Sequence, residues 1–215
     1  MNVSCEFYRS SVGKKVVVAL TGAVLFLFVV GHMLGNLKTF MGMDASGIHH
    51  LDMYAHFLRS FAEEAMGHGN FLWLTRFVLL GCLLVHIVTV AQLQARSSEA
   101  RPVKYKKQSL RASSVAARTM WYGGILVFLF IVLHLGHLTL GTLHSDFIEG
   151  RVYRNVYIAF HNPIAVIGYL VAMCVLGFHL YHGVWSFFQT LGLETPDRNC
   201  ALTLVGTVGS FGIRL

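Results

Sequence analysis

The sequence predicts an all-α, polytopic membrane protein, and three observations predict it. Of 215 residues, 55% are hydrophobic and only 13% are charged, whereas an ordinary soluble domain carries about 25% charge. Apolar runs approaching the ~20 residues that cross a ~30 Å hydrocarbon layer recur along the chain. The basic residues gather in the polar stretches between those runs, as topology signals do. The net charge of +7 therefore reads as membrane orientation, and no nucleic-acid partner is expected. Four cysteines, Cys5, Cys82, Cys174 and Cys200, form no Cys-x-x-Cys pair, which argues against a thiolate metal site or a disulfide framework. Twelve histidines against ten carboxylates is the unusual ratio.

Five spanning helices are expected, at about 14–35, 71–95, 119–143, 156–190 and 199–215, in one domain covering 1–215. Lys14 and Lys15 precede the first, which is too long and lacks the small-residue cleavage site of a signal peptide. Gly31 and Gly35 form a Gly-x-x-x-Gly pair around His32, a pattern that permits close helix approach. Between helices 1 and 2, Ile48, Leu51, Tyr54, Phe57, Leu58 and Phe61 recur at spacings of three and four. That pattern predicts a one-faced helix over about 46–66 lying on the membrane surface.

Helix 2 carries Arg76 near its start and His86 in its inner half. The loop from Ser97 to Arg118 holds Arg101, Lys104, Lys106, Lys107, Arg111 and Arg118 against Glu99 alone. The positive-inside rule puts it in the cytoplasm, and the N-terminus with it. Helix 3 holds His134 and His137. Helix 4 carries His179 and His182, with Gly183 one turn beyond His179, where a flat group or another helix could come close. Helix 5 has no histidine.

Depth sorts the histidines. At ~1.5 Å per residue, His32 lies ~27 Å and His134 ~24 Å above the inner surface, while His86 and His179 lie at ~15 and ~16 Å. Four helices thus supply two histidine pairs at two heights, as two stacked haems with bis-histidine ligation require. Zinc or copper would need more ligands converging at one level. His137 and His182 sit one turn from their rivals and shift their depth by ~4.5 Å, so a swap stays open. Arg76 lies ~8 Å inside the outer end of helix 2. There it either meets a haem propionate or snorkels to the outer headgroups.

Several phrases, in order, resemble the single-chain, di-haem cytochrome b subunit of bacterial succinate:quinone and fumarate:quinone oxidoreductases. They are Ser11-Val12-Gly13-Lys14-Lys15 with Ala19-Leu20-Thr21-Gly22, His32-Met33-Leu34-Gly35-Asn36-Leu37, Arg101-Pro102-Val103-x-Tyr105, and the stretch from His179 to Gly192. The resemblance implies a five-helix anchor in the bacterial cytoplasmic membrane, bundled around two haems b. It implies a flavoprotein and an iron–sulfur subunit docked on the inner side, with no dehydrogenase activity in the isolated chain. It places the ligands on His32 with His134, for the outer haem, and on His86 with His179, for the inner one. Some fumarate-reducing members carry a glutamate two residues before the last ligand; Gly177 stands there in this chain, which counts against fumarate reduction without proving the reverse.

The expected activity is electron transfer from the iron–sulfur partner, through the inner and then the outer haem, to a membrane quinone, expected to be menaquinone. For the quinone site the surface helix offers Asp52, Tyr54, His56, Glu63 and Glu64, each readable equally as solvated face. Two other readings are a di-haem cytochrome b serving a hydrogenase or formate dehydrogenase, and a histidine-lined transporter. The second would call for internal repeats and helices broken near the midplane, and the sequence shows no such repeat.

Overall fold

A computed structural model describes residues 3–100 and 115–193. Among these the chain is helical, with no strand and one isolated bridge between Met43 and His49. Its elements are α1 (Val3–Arg9), α2 (Ser11–Asn36), a 3-10 turn (Leu37–Met41), α3 (His50–Ser60), α4 (Glu63–Met66), α5 (Asn70–Glu99), α6 (Val115–His134), a π turn (Leu135–Thr139), α7 (Val152–Ala159) and α8 (Pro163–Thr190). Four stretches are long and apolar enough to cross a membrane: Ser11–Met41, Asn70–Glu99, Met120–Thr139 and Pro163–Thr190. No more than 6% of the apolar window of any of them is buried within the protein. Side chains such as Leu27, Phe77, Leu133 and Ile167 point outward, which is stable where the surrounding solvent is hydrocarbon and every helical backbone group is bonded internally. The expected fifth span, 199–215, and residues 101–114 of the basic loop lie outside the described residues.

The helix boundaries follow local chemistry. Ser10 caps α2: its hydroxyl accepts the Gly13 amide at 2.8 Å and donates to the Phe7 carbonyl at 2.8 Å. The expected fourth helix is two helices. Pro163 has no amide proton and suits the first position of a helix, and the Asn162 carboxamide oxygen accepts the Ile164 amide at 2.9 Å to start α8 afresh. The surface helix is likewise broken, because Ala62 takes a left-handed conformation (φ 59°) between α3 and α4. Helix 3 ends as a π turn, with the Leu140 amide bonded to the Leu135 carbonyl at 2.8 Å.

The chain divides into two compact units, one from Met1–Leu27, Leu79–Trp121 and Gly177–Leu215, the other from Phe28–Val78 and Tyr122–Leu176. In the first, α1 is tied to α5. The Tyr8 hydroxyl bonds Gln92 Oε1 at 3.3 Å and Thr89 Oγ1 at 3.2 Å, and Arg96 donates to the Arg9 carbonyl at 2.8 Å. Lys14 is only 5% exposed. Its ammonium donates to Gln92 and lies 4.3 Å from the Tyr8 ring centre, contacts that offset the cost of burying a charge.

In the second unit, Asp52 of α3 accepts the Tyr153 amide at 2.8 Å. A carboxylate there satisfies one free amide in the first turn of α7 and faces the positive end of its dipole. Buried Asn155 clasps both the amide and the carbonyl of Ile148, at 3.0 and 2.7 Å. Gly35 admits Tyr54: a Cβ on that glycine would stand 2.5 Å from the Tyr54 ring. The expected close approach at the Gly31/Gly35 pair is therefore met at Gly35 by the α3 side chain, while nothing lies within 4 Å of a Cβ built at Gly31.

Candidate functional site

The histidines fall into the two units as two groups. In the first unit, His86 of α5 faces α2, where the absence of a side chain at Gly22 makes room: a Cβ there would stand 3.2 Å from His86 Cε1. Thr21 fixes the ring. Its hydroxyl donates its single proton to the Val17 carbonyl at 2.8 Å, with Val18 at 3.2 Å. The oxygen can then only accept, so the 3.1 Å contact with His86 Nδ1 is donated by the ring. Nδ1 carries the proton, and Nε2 keeps its lone pair for a metal, the usual arrangement of an oriented histidine ligand.

His179 of α8 lies near both His86 and His182. Its Nδ1 is shielded from solvent and has no hydrogen-bond partner among the described residues. Nothing lies within 4 Å of a Cβ built at Gly183. The expected close approach at Gly183 is thus not made by a described helix, and no described residue fills the space one turn from His179.

In the second unit, the rings of His32 and His134 have centres 5.8 Å apart and planes at 86°. A first-row metal bonds an imidazole nitrogen at ~2 Å and the ring centre lies ~1 Å behind it, so two rings on opposite faces of one metal have centres ~6 Å apart. The observed spacing fits. Phe28 stacks on His32 at 5.4 Å, and Phe130 lies 5.7 Å from His134, which gives the pair an apolar wall.

The Tyr169 hydroxyl stands 3.3 Å from Nδ1 of both His134 and His137. One phenol carries one proton, so it can donate to only one of these rings and must accept from the other. With His134 donating, its Nε2 is left bare, and His137 receives the phenolic proton and carries its own on Nε2. The position of His134 beside His32 favours that assignment. His137, in the π turn, instead neighbours His144 at 5.6 Å.

Arg76 lies on the Trp73 ring, 4.7 Å from its centre. It is exposed, and no carboxylate pairs with it among the described residues. The five surface-helix candidates have separate duties. Asp52 holds the start of α7, and Tyr54 fits against Gly35 with the Lys38 ammonium 5.6 Å from its ring centre. Glu63 bonds His68 at 3.2 Å, Glu64 edges an open depression with Glu63, and His56 is exposed. They do not converge on one cavity.

Sequence reasoning named Thr21 and Gly22 only within a resembling phrase, with no role assigned to either, and missed Tyr169. A hydroxyl inside an apolar run was the available signal, since its proton must go somewhere, but which histidine it would meet could not be read. Among the described residues no three His, Cys, Asp or Glu side chains converge. These features define a class: a helical chain with, among the described residues, four membrane-length spans that carry neighbouring histidines. No family model, no curated protein and no solved structure matches the chain.

Proposed function

We propose that this chain is the di-haem cytochrome b anchor of a succinate:quinone or quinol:fumarate oxidoreductase in the bacterial cytoplasmic membrane. In this reading His86 and His179 hold the inner haem, and His32 and His134 the outer one. The observation that carries it is the His32–His134 spacing of 5.8 Å, supported by the Thr21 bond that leaves His86 Nε2 bare. Bound haem supplies one-electron redox chemistry. The chain's own residues do the rest. Thr21 and Tyr169 fix ring orientation and tautomer, Phe28 and Phe130 give the outer pair an apolar wall, and the space at Gly31 and Gly183, where no described residue comes within 4 Å of an added Cβ, leaves room for a flat macrocycle. Arg76, which no carboxylate pairs with among the described residues and which lies near the outer end of its helix, is suited to a propionate.

Electrons would pass from an iron–sulfur subunit on the cytoplasmic side, itself joined to a flavoprotein, toward a quinone such as menaquinone at the outer side. The basic residues between 101 and 118 suit an acidic partner surface, where charge acts chiefly on association rate and orientation. The testing experiment is a reduced-minus-oxidised absorption spectrum of the purified protein, with haem per polypeptide from the pyridine haemochrome. Two haems b per chain are expected. A chain purified from haem-replete cells with no haem bands would refute the reading.

A further inference from the structure

We propose that His137 and His144 form a binding site for a divalent cation of the imidazole-seeking kind, zinc(II) above all, at the end of the Met120–Thr139 span. The site lies wholly in the second unit. It uses none of the four candidate haem ligands and stands without the haem reading.

Local turns bring the two rings together. Beyond the π turn the backbone doubles back: the Leu143 amide and the Thr142 hydroxyl both donate to the Gly136 carbonyl, at 3.3 and 3.2 Å. Buried Gly136 lets the returning segment lie close, since a Cβ there would stand 3.1 Å from Leu143 Cδ1. Gly141 makes the reversal, with φ 69° and the Phe147 ring against the place where a Cβ would be, a position that suits glycine alone. His144 is thereby carried back to His137. Their ring centres are 5.6 Å apart and their planes meet at 59°.

That spacing suits one metal. With a metal–nitrogen bond of ~2 Å and a ring centre ~1 Å behind the nitrogen, two imidazoles on one metal have centres about 5 Å apart at a tetrahedral angle and about 6 Å apart when opposed. The observed separation falls between. His144 also has bonding capacity unused. Both of its ring nitrogens are shielded from solvent, and neither has a hydrogen-bond partner among the described residues. Shielding an unanswered N–H and an unanswered lone pair is costly, and a metal bond would satisfy the lone pair.

His137 binds through Nε2, because its Nδ1 faces the Tyr169 hydroxyl at 3.3 Å. A metal needs the Nε2 lone pair, so the ring proton then sits on Nδ1 and is donated to Tyr169. The phenolic oxygen has two lone pairs and can accept from His134 and His137 together. Loading the site thus turns His137 from acceptor to donor and leaves the proton on His134 Nδ1 in place. Tyr169 becomes the oriented partner that stands behind a metal-binding histidine.

Two neutral imidazoles suit zinc, copper or nickel, whereas magnesium and calcium take oxygen ligands. No third His, Cys, Asp or Glu converges there among the described residues, so water completes the shell and the ion is exchangeable. Entry is from the polar side, since His144 lies beyond Thr139, the last residue of the span, and Thr142, Ser145 and Asp146 are exposed.

The test is equilibrium dialysis of the untagged, detergent-purified full chain against Zn2+ in excess Mg2+. Wild type is expected to hold one zinc per chain saturably. His137→Ala and His144→Ala should each raise Kd at least tenfold, and the double variant no further, because losing either ring dismantles the pair. His56→Ala, at an exposed histidine, should bind as wild type does. His144→Gln carries the test if His144→Ala does not accumulate. X-ray absorption at the zinc edge should show two imidazole nitrogens. Zinc held as tightly without either ring overturns the proposal, as does uptake that never saturates, displacement by Mg2+, or a zinc with a single imidazole.

Discussion

On the two-haem reading, Thr21→Val tests whether a hydroxyl in the first spanning helix governs a candidate ligand on another. Valine keeps the branched shape and removes the acceptor 3.1 Å from His86 Nδ1. Two independent magnitudes apply. Leaving a shielded N–H unpaired costs about 1–3 kcal/mol, and losing a partner behind a histidine ligand typically lowers metal affinity about 10–100-fold, which is about 1.4–2.8 kcal/mol. They agree, so inner-haem affinity should fall about 10–100-fold. Outer-haem affinity should not change. Because Nδ1–H donation makes the ring a stronger electron donor, its loss should also raise the inner midpoint potential. Thr21→Ser should restore both values. The assay is haemin titration of the apoprotein, with haemochrome quantification and a spectroelectrochemical redox titration. Unchanged affinity and potential in Thr21→Val would refute the assignment of the Nδ1 proton, and with it the reasoning that leaves Nε2 free.

His86→Ala or His179→Ala should leave one haem per chain with outer-haem properties, and His32→Ala or His134→Ala one with inner-haem properties; two haems retained in any of the four would remove that residue from the ligand set. Gly35→Ala should cost about 1–3 kcal/mol by forcing the added methyl group against the Tyr54 ring. Thermal unfolding in detergent measures this, and combining it with Tyr54→Ala should cost less than the sum of the two. Asp44 accepts bonds from the Ser46 hydroxyl and from the Ser46 and Ile48 amides. The Ser46 hydroxyl, then the Ile48 amide, hold its carboxyl below the usual carboxylate range. A depressed folded pKa means that the turn's support is complete above the ordinary Asp value of about 4 and is lost as pH falls through the lower folded value. Amide exchange over 42–50 should therefore be protected at pH 5 and loosen in acid, and Asp44→Ala should remove the difference.

Composition and the length of the apolar runs were enough to fix an all-helical chain with membrane-length spans, because a 3.6-residue helix crossing hydrocarbon needs little beyond an unbroken apolar run. The four spans described correspond to expected helices 1 to 4. The break before α8, which the expected helix over 156–190 runs across, is legible in Asn162-Pro163, since proline lacks an amide proton and suits a first helical position and asparagine accepts the next free amide. The turn at Ala62 was not legible, because a non-glycine residue adopts positive φ only when its surroundings impose it.

Depth counting grouped the histidines, since rise per residue is a property of one helix. What it could not supply is azimuth. Whether His134 or His137 turns toward His32 depends on the π turn and on a tyrosine that precedes His179 by ten residues on another helix. Likewise, the carboxylate of Asp52 looked available for quinone chemistry until the fold put it against the Tyr153 amide. Sequence determined which ionisable residues stand at which position along each apolar run, because spacing along a helix is local. Only tertiary structure decided which proton sits on which nitrogen, because a hydrogen-bond partner is chosen by the neighbouring helix and not by the chain on either side.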